Sequence, residues 1–332
     1  MFVLGIESTC DETAASVVKD GKLILSNVIF SQAEKHAAFG GVFPELASRA
    51  HIEAIVPVIK LAIQEAGLEK QDIDLIAVAK EPGLVGGLLI GVESAKALSL
   101  SLNIPYVGIN HVEAHLYAAM MDQSAPQFPA LGVVLSGGHT LLVKINKLLD
   151  YEIIGTTIDD ALGEAFDKLA VMLGYSYPGG AKIEELAENG DPHRFILKAG
   201  FMKDRPFDFS YSGLKTACRT LIEKQDSSTA QFAQDLAASF QFSVFKDLAK
   251  KIDQVTKMFG LNQVYLGGGV VCNDKLKETL IKHLPHLQFN FAPKGLCVDN
   301  AAMIAGLGFQ KYQALKKGDA LDITPKTRVD RF

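Results

Sequence analysis

The sequence predicts an α/β protein built from two related halves. Three observations carry that prediction. Short apolar runs of strand type alternate with longer helical stretches along all 332 residues. A series of strand, polar loop, strand, strand and helix starts at the N-terminus and starts again at Ala130. Between the two rounds lies Ser124 to Pro129, a short crossing with two prolines. The repeat is one of elements rather than of residues. Two α/β domains facing each other across a cleft account for it, with boundaries placed at 1–125, including a C-terminal helix 299–315 packing back, and 126–298.

In order along the chain, Val3-Leu4-Gly5-Ile6 and Ala14 to Val18 read as strands around the polar loop Glu7 to Thr13. Asp20-Gly21 is a turn signal, and Lys22 to Phe30 reads as the third strand. A helix is expected from about Pro44 to Glu65, because proline suits a first helical turn. Asp74 to Ala79 reads as a strand, the loop Glu81 to Gly87 leads into a helix through about Ser101, and Tyr106 to Ile109 reads as a strand. In the second half, strands are expected at Leu131–Leu135, Leu141–Ile145 and Tyr151–Thr157, then a helix over Asp159–Leu173. Thr229 to Phe259 reads as one long helix with room for a single break. Val264 to Leu266 is a strand running into Gly267-Gly268-Gly269 and a helix from about Asn273. Gln288 to Phe291 is a short strand, and Asp299 to Tyr312 the final helix.

Bulk properties narrow the function. A 48% hydrophobic content supports well-buried cores, and no stretch reads as a membrane span or secretory signal. Four scattered cysteines, without C-x-x-C, suggest neither a disulfide framework nor a zinc knuckle, so a cytoplasmic protein with reduced thiols is expected. The net charge of −5 excludes a general nucleic-acid coat; any such contact is local or assisted by a partner. The mildly basic tail from Lys326 to Phe332 reads as a solvated end.

The most informative segment is Asn110-His111-Val112-Glu113-Ala114-His115. On a helix, positions i and i+4 share one face, so two imidazoles there can grip one metal ion. Such pairs also occur on plain solvated faces. Here the pair follows a strand, at the edge where α/β proteins bind ligands. Asp299 reads either as a helix N-cap or as the carboxylate completing a two-histidine, one-carboxylate site. Three glycine loops suit a nucleotide: Ser136-Gly137-Gly138-His139-Thr140, Gly267 to Gly269 and Tyr177-Pro178-Gly179-Gly180. None is G-x-G-x-x-G, which disfavours a dinucleotide fold. Asp11 and Glu12 sit in the loop of the first half that corresponds to Ser136–Thr140 in the second. Asp159, Asp160, Glu164 and Asp167 crowd one expected helix start. Some of them are read as dipole partners there, and Asp167 as the candidate for a ribose or substrate hydroxyl.

Ten ordered motifs resemble one family: Gly5-Ile-Glu-Ser-Thr-Cys-Asp-Glu-Thr13, Gly41 to Arg49, Pro82 to Gly86, Asn110 to His115, Leu135 to Thr140, Asp159 to Lys168, Tyr177 to Gly180, Tyr211 to Thr216, Gly267 to Val270 and Val298 to Asn300. The family is the tRNA N6-adenosine threonylcarbamoyltransferases, formerly O-sialoglycoprotein endopeptidases, and the length resembles the bacterial form. The resemblance implies an actin/hexokinase/Hsp70-like fold of two duplicated α/β domains around a cleft. It implies a divalent metal, most often Fe2+, with zinc or manganese as alternatives, held by His111, His115 and Asp299. It implies that Val134, Leu135, Ser136, Gly137 and Gly138, with Asp167, Gly180 and Asn273, bind threonylcarbamoyl-AMP, with His139 beside the phosphate loop. Asp11 and Glu12 would lie near the reacting centre. Implied partners are tRNA, a paralogous actin-like subunit and a small ATPase, with no membrane. Glu81, Ala114 and Glu184 depart from the family's usual glycine, glycine and aspartate.

Three other readings compete with this one. A zinc protease needs H-E-x-x-H, and here Glu113 stands one place too late. A sugar kinase or ATPase would use the phosphate loops but leaves the histidine pair unexplained. A non-catalytic scaffold has no need of either.

Overall fold

In the computed structural model, residues 1–122, 125–200, 202–224 and 229–319 are described. The readings of Ser124 and of the tail from Lys326 fall outside them. The chain divides into two units, Met1–Pro126 with Ala292–Phe332, and Gln127–Phe291.

The first unit opens with three antiparallel strands, β1 (Phe2–Glu7), β2 (Glu12–Lys19) and β3 (Leu23–Ser31). The β2–β3 turn places Asp20 and Gly21 at φ 52° and 74°, the left-handed conformation that such tight hairpins require. A short helix, α1 (Ala33–Ala37), precedes α2 (Pro44–Glu65), which has Pro44 in its first turn. Next come β4 (Leu75–Glu81), α3 (Val85–Leu102), β5 (Tyr106–Asn110) and α4 (His111–Ala118). The sheet order is β3-β2-β1-β4-β5, with β4 parallel to both β1 and β5.

Strand β1 is buried along nearly its whole length, because helices cover both faces of the sheet. Leu4 and Ile6 point toward Ile55, Val58 and Ile59 of α2 and Val92 of α3. The intervening Gly5 faces the other way. A Cβ there would lie 2.2 Å from the Ala301 carbonyl oxygen, so only glycine lets the last helix close on the strand.

The second unit repeats this topology. Its strands are β6 (Ala130–Leu135), β7 (Thr140–Lys147) and β8 (Asp150–Thr156), followed by the helices α5 (Leu162–Met172), α6 (Gly180–Ala187), α7 (Ser212–Lys224) and α8 (Ala230–Phe259). It closes with β9 (Gln263–Gly267), a 3-10 turn at Gly269–Cys272, α9 (Asp274–His283) and β10 (Gln288–Phe291). Its order is β10-β9-β6-β7-β8, and read in reverse, β8-β7-β6-β9-β10, it matches the first sheet position for position. Two further helices, α10 (Lys294–Cys297) and α11 (Ala301–Leu315), belong to the first unit, where α11 packs across β1, β2, β4 and β5.

Several expectations shift. α5 starts at Leu162 rather than Asp159, because both leading acids are used elsewhere. Asp159 accepts from Ser210 Oγ at 2.6 Å and Tyr211 N at 2.8 Å, and Asp160 pairs with Lys168 and Lys215. α8 runs unbroken. α11 starts at Ala301, and its N-cap is Asn300 rather than Asp299. Against the expectation of no membrane-length run, Val85–Leu102 is long and apolar enough by composition, with a mean hydropathy of 1.4. In the fold it is α3, which buries Leu88, Val92 and Ala95 against α2 and β4.

Candidate functional site

Histidines 111 and 115 come from α4, which starts directly at the end of β5. Asn110 sets that start: its side-chain oxygen accepts from Val112 N at 2.9 Å and Glu113 N at 3.2 Å. His111 is thereby fixed in the first turn, with His115 one turn on. Their rings meet edge to face with centroids 4.6 Å apart. Glu113 turns to other company, Lys311, Glu81 and Lys80.

Asp299 reaches the pair from the segment between α10 and α11. Asn300 holds that segment rigid. It caps α11 through Met303 N at 3.0 Å, and its amide donates to the carbonyls of Leu296 at 3.1 Å and Val298 at 2.8 Å. The Asp299 Oδ1 lies 3.4 Å from His111 Nε2 and 3.1 Å from His115 Nε2. One ligand atom from each of the three residues lies within 4.8 Å of the other two.

This donor set fits a metal ion. His115 is fully buried, yet neither ring nitrogen has a hydrogen-bond partner among the described residues. Its Nε2 is close to Asp299 but not aligned to donate to it. An unsatisfied buried imidazole costs about 1–3 kcal/mol, a penalty that coordination removes. Two nitrogens and a carboxylate oxygen suit a divalent transition metal. The charges agree. Burial favours the neutral forms of both Asp299 and His111. The imidazoles outweigh it and hold the Asp299 carboxyl well below its usual range, while Glu7 and Asp299 push His111 well above its own. Burial wins at His115, whose pKa falls.

The loop carrying Asp11 and Glu12 is braced from three sides. Glu7 accepts from Thr9 N at 2.7 Å, and the Thr9 carbonyl accepts from Leu84 N at 2.7 Å. His51 of α2 bonds Thr13 Oγ1 at 2.8 Å and the Cys10 carbonyl at 3.0 Å. Ser8 Oγ donates to the Gly87 carbonyl at 2.9 Å. Asp11 is buried, and Glu12 opens β2 near Ser31. Burial, then the charges of Asp299, Asp11 and Glu7, raise the Glu12 carboxyl well above its ordinary value. Sequence reading missed Glu7, Thr9 and His51 as site residues. Glu7 looked like the first residue of a polar loop, and its partner His111 lies far along the chain.

In the second unit, α5 gathers the glycine loops. Val134 and Leu135 are fully buried in β6. Ser136 closes the loop after them: Ser136 N donates to the His139 carbonyl at 2.8 Å, and Ser136 Oγ accepts from His139 N at 3.0 Å. Gly137 and Gly138 are exposed, with open space beside them. Gly163 N, at the start of α5, donates to the Ser136 carbonyl at 3.2 Å. One turn on, Asp167 Oδ1 accepts from Gly179 N at 2.7 Å and Gly180 N at 3.0 Å, pinning the start of α6. Gly268, at φ 101°, lies so close to β6 that a Cβ would sit 2.4 Å from the Leu135 carbonyl oxygen. Asn273 is buried as the N-cap of α9, bonded to Leu276 N at 2.9 Å and Gln241 Oε1 at 2.8 Å. Glu184 accepts from Asp274 N at 3.0 Å, which ties α6 to α9.

The model of the tRNA N6-adenosine threonylcarbamoyltransferase family matches residues 23–306. The chain belongs to that family. A family relative from Protochlamydia amoebophila, which carries the same description, is 52% identical over 99% of this chain and 98% of its own length. Another, from Bacillus subtilis, is 47% identical over 93% of this chain and 90% of its own. Among solved structures, full-length HypF in its phosphate- and nucleotide-bound form covers 95% of this chain and 46% of its own, at 14% identity and TM-score 0.62. Component A of the (R)-2-hydroxyglutaryl-CoA dehydratase of Acidaminococcus fermentans covers 94% and 99%, at 15% identity and TM-score 0.54. At such identities the likeness concerns the fold alone, which for this threonylcarbamoyltransferase family member is actin/hexokinase/Hsp70-like.

Proposed function

We propose that this chain transfers the threonylcarbamoyl group of threonylcarbamoyl-AMP to N6 of the adenosine 3′ of the anticodon in tRNA, releasing AMP. The observation that carries the reading is the His111, His115 and Asp299 cluster, with its unsatisfied buried imidazole, in a chain of this family.

The amine nitrogen attacks the carbamoyl carbon, a C–N bond forms, and the C–O bond to the AMP phosphate breaks with its electron pair on the phosphate oxygen. The amine proton passes to a carboxylate. Glu12 suits that role better than a free glutamate, because burial and the neighbouring acids raise its pKa well above the ordinary value and make its carboxylate a stronger base. Asp11 beside it keeps the local field negative. A divalent ion held by His111, His115 and Asp299, proposed as Fe2+ with zinc or manganese as alternatives, would supply Lewis acidity and a template for substrate oxygens.

In the second unit, Gly137 and Gly138 offer exposed backbone amides suited to a phosphate, next to the N-terminus of α5. Val134 and Leu135 set the strand end that aims them, and His139 stands at the far side of the loop. Asp167 acts by holding Gly179 and Gly180 in place. Asn273 orients α9 beside the Gly267–Gly269 turn. A single-stranded anticodon loop can present its base at modest energetic cost.

The net charge of −5 supports a grip on tRNA shared with partners, namely the paralogous actin-like subunit and small ATPase of the family resemblance. Four free thiols agree with a cytoplasmic setting.

The test is reconstitution with tRNA, threonylcarbamoyl-AMP, metal and those partners, followed by nucleoside mass spectrometry. Mass gain on adenosine, lost with Asp299→Ala, is expected. No gain, or ATP hydrolysis independent of tRNA, would overturn the reading.

A further inference from the structure

We propose that Glu7 is a positioning residue that fixes the tautomer of His111, so that Nε2 and not Nδ1 is its metal-binding nitrogen. The proposal rests on the metal reading of His111, His115 and Asp299.

Glu7 ends β1 and is wholly buried. Its two oxygens are divided between two tasks. Oε1 accepts from Thr9 N at 2.7 Å, which locks the carboxylate plane against the backbone. Oε2 lies 2.8 Å from His111 Nδ1. Thr9 Oγ1 stands 3.3 Å from the same nitrogen. A carboxylate only accepts, and a neutral imidazole carries one N–H, so Nδ1 holds the proton. Nε2 is left with its lone pair, and it is the nitrogen 3.4 Å from Asp299 Oδ1.

His115 supplies a contrast within the same cluster. Its Nδ1 has no partner among the described residues, so nothing equivalent sets its tautomer. The two imidazoles are therefore unequal. His111 is oriented before any ion arrives, and its basicity is raised by the carboxylate behind it, whereas His115 adapts. Thr9 also ties this arrangement to the loop of Asp11 and Glu12, since its carbonyl anchors Leu84 N. Partners of this kind behind a ligating histidine change metal affinity by about 10–100-fold.

The test uses the full chain, stripped of metal and titrated with Co2+, a probe with visible ligand-field bands. Glu7→Gln keeps the shape and removes the charge. Its Co2+ affinity is expected to fall about 10–100-fold while circular dichroism stays that of the parent. Nitrogen-15 histidine spectra of the unsubstituted metal-free protein at a pH where His111 is neutral read the tautomer directly, whether or not the variant folds. Protonation at Nδ1 is expected, and protonation at Nε2 overturns the proposal. His111→Ala separates the two readings. If it binds Co2+ like the parent, the metal site itself is wrong. If it loses the ion while Glu7→Gln retains parental affinity, the metal site stands and the role of Glu7 falls.

Discussion

Replacing Asn300 with alanine should damage both the stability of the first unit and its metal affinity. Asn300 is wholly buried, and its amide satisfies three backbone groups: Met303 N and the carbonyls of Leu296 and Val298. Loss of the cap costs about 1 kcal/mol. Leaving the buried Leu296 carbonyl without its donor adds about 1–3 kcal/mol, while water can reach the part-buried Val298 carbonyl. The expected total is about 2–4 kcal/mol, a large share of the 5–15 kcal/mol typical of a domain. Asn300→Ser keeps a capping oxygen but not the amide donor, so about 1 kcal/mol is recovered and the carbonyl loss remains. The assay is urea unfolding followed by circular dichroism, since the chain has no tryptophan. Parallel Co2+ titration reads the displacement of Asp299, one residue away. A loss below 1 kcal/mol, or alanine and serine variants of equal stability, would refute the account of how Asp299 is held.

Three other outcomes follow from the geometry. Gly5→Ala forces a Cβ to 2.2 Å from the Ala301 carbonyl oxygen, so α11 must shift; a loss of about 1–3 kcal/mol, read by thermal melting, comes with weaker Co2+ binding. Asp167→Ala frees Gly179 N and Gly180 N from their acceptor; AMP binding by calorimetry should weaken while metal content stays the same. Burial, followed by the opposing charge of Lys311, leaves the Glu113 carboxyl raised to about 7. Its folded pKa exceeds the unfolded value, so the stability it contributes is complete below about pH 4.5 and declines as pH rises toward 7. At about 1.4 kcal/mol per unit, the decline is about 3 kcal/mol, and Glu113→Gln should flatten that part of the stability curve of the metal-free protein.

Much of the fold was legible because its signals are local. Pro44 marked the start of α2 to the residue, Asp20-Gly21 marked the β2–β3 turn, and the doubled strand pattern anticipated two sheets of one topology. The metal cluster was legible in part, since the i, i+4 histidine pair is local while Asp299 joins it only through the fold. What escaped depends on distant partners. Asp159 and Asp160 looked like first-turn acids, but Ser210, Tyr211 and Lys215 draw them out of the helix. Asp299 stood open between a cap and a metal ligand, because Asn300, the residue that caps, sits beside it and is equally suited by type. Glu7 looked like the first residue of a polar loop and showed no partner nearby, since His111 is brought to it only by the β1–β4–β5 pairing. Asp167 was read toward a ligand, and at least one of its oxygens serves the backbone instead.

The most direct check on the central claim is elemental analysis of the purified chain beside His111→Ala, both prepared with the same divalent ion. About one ion per chain is expected for the parent, given three converging ligands, and close to none for the variant. Equal metal content in the two proteins would contradict the site.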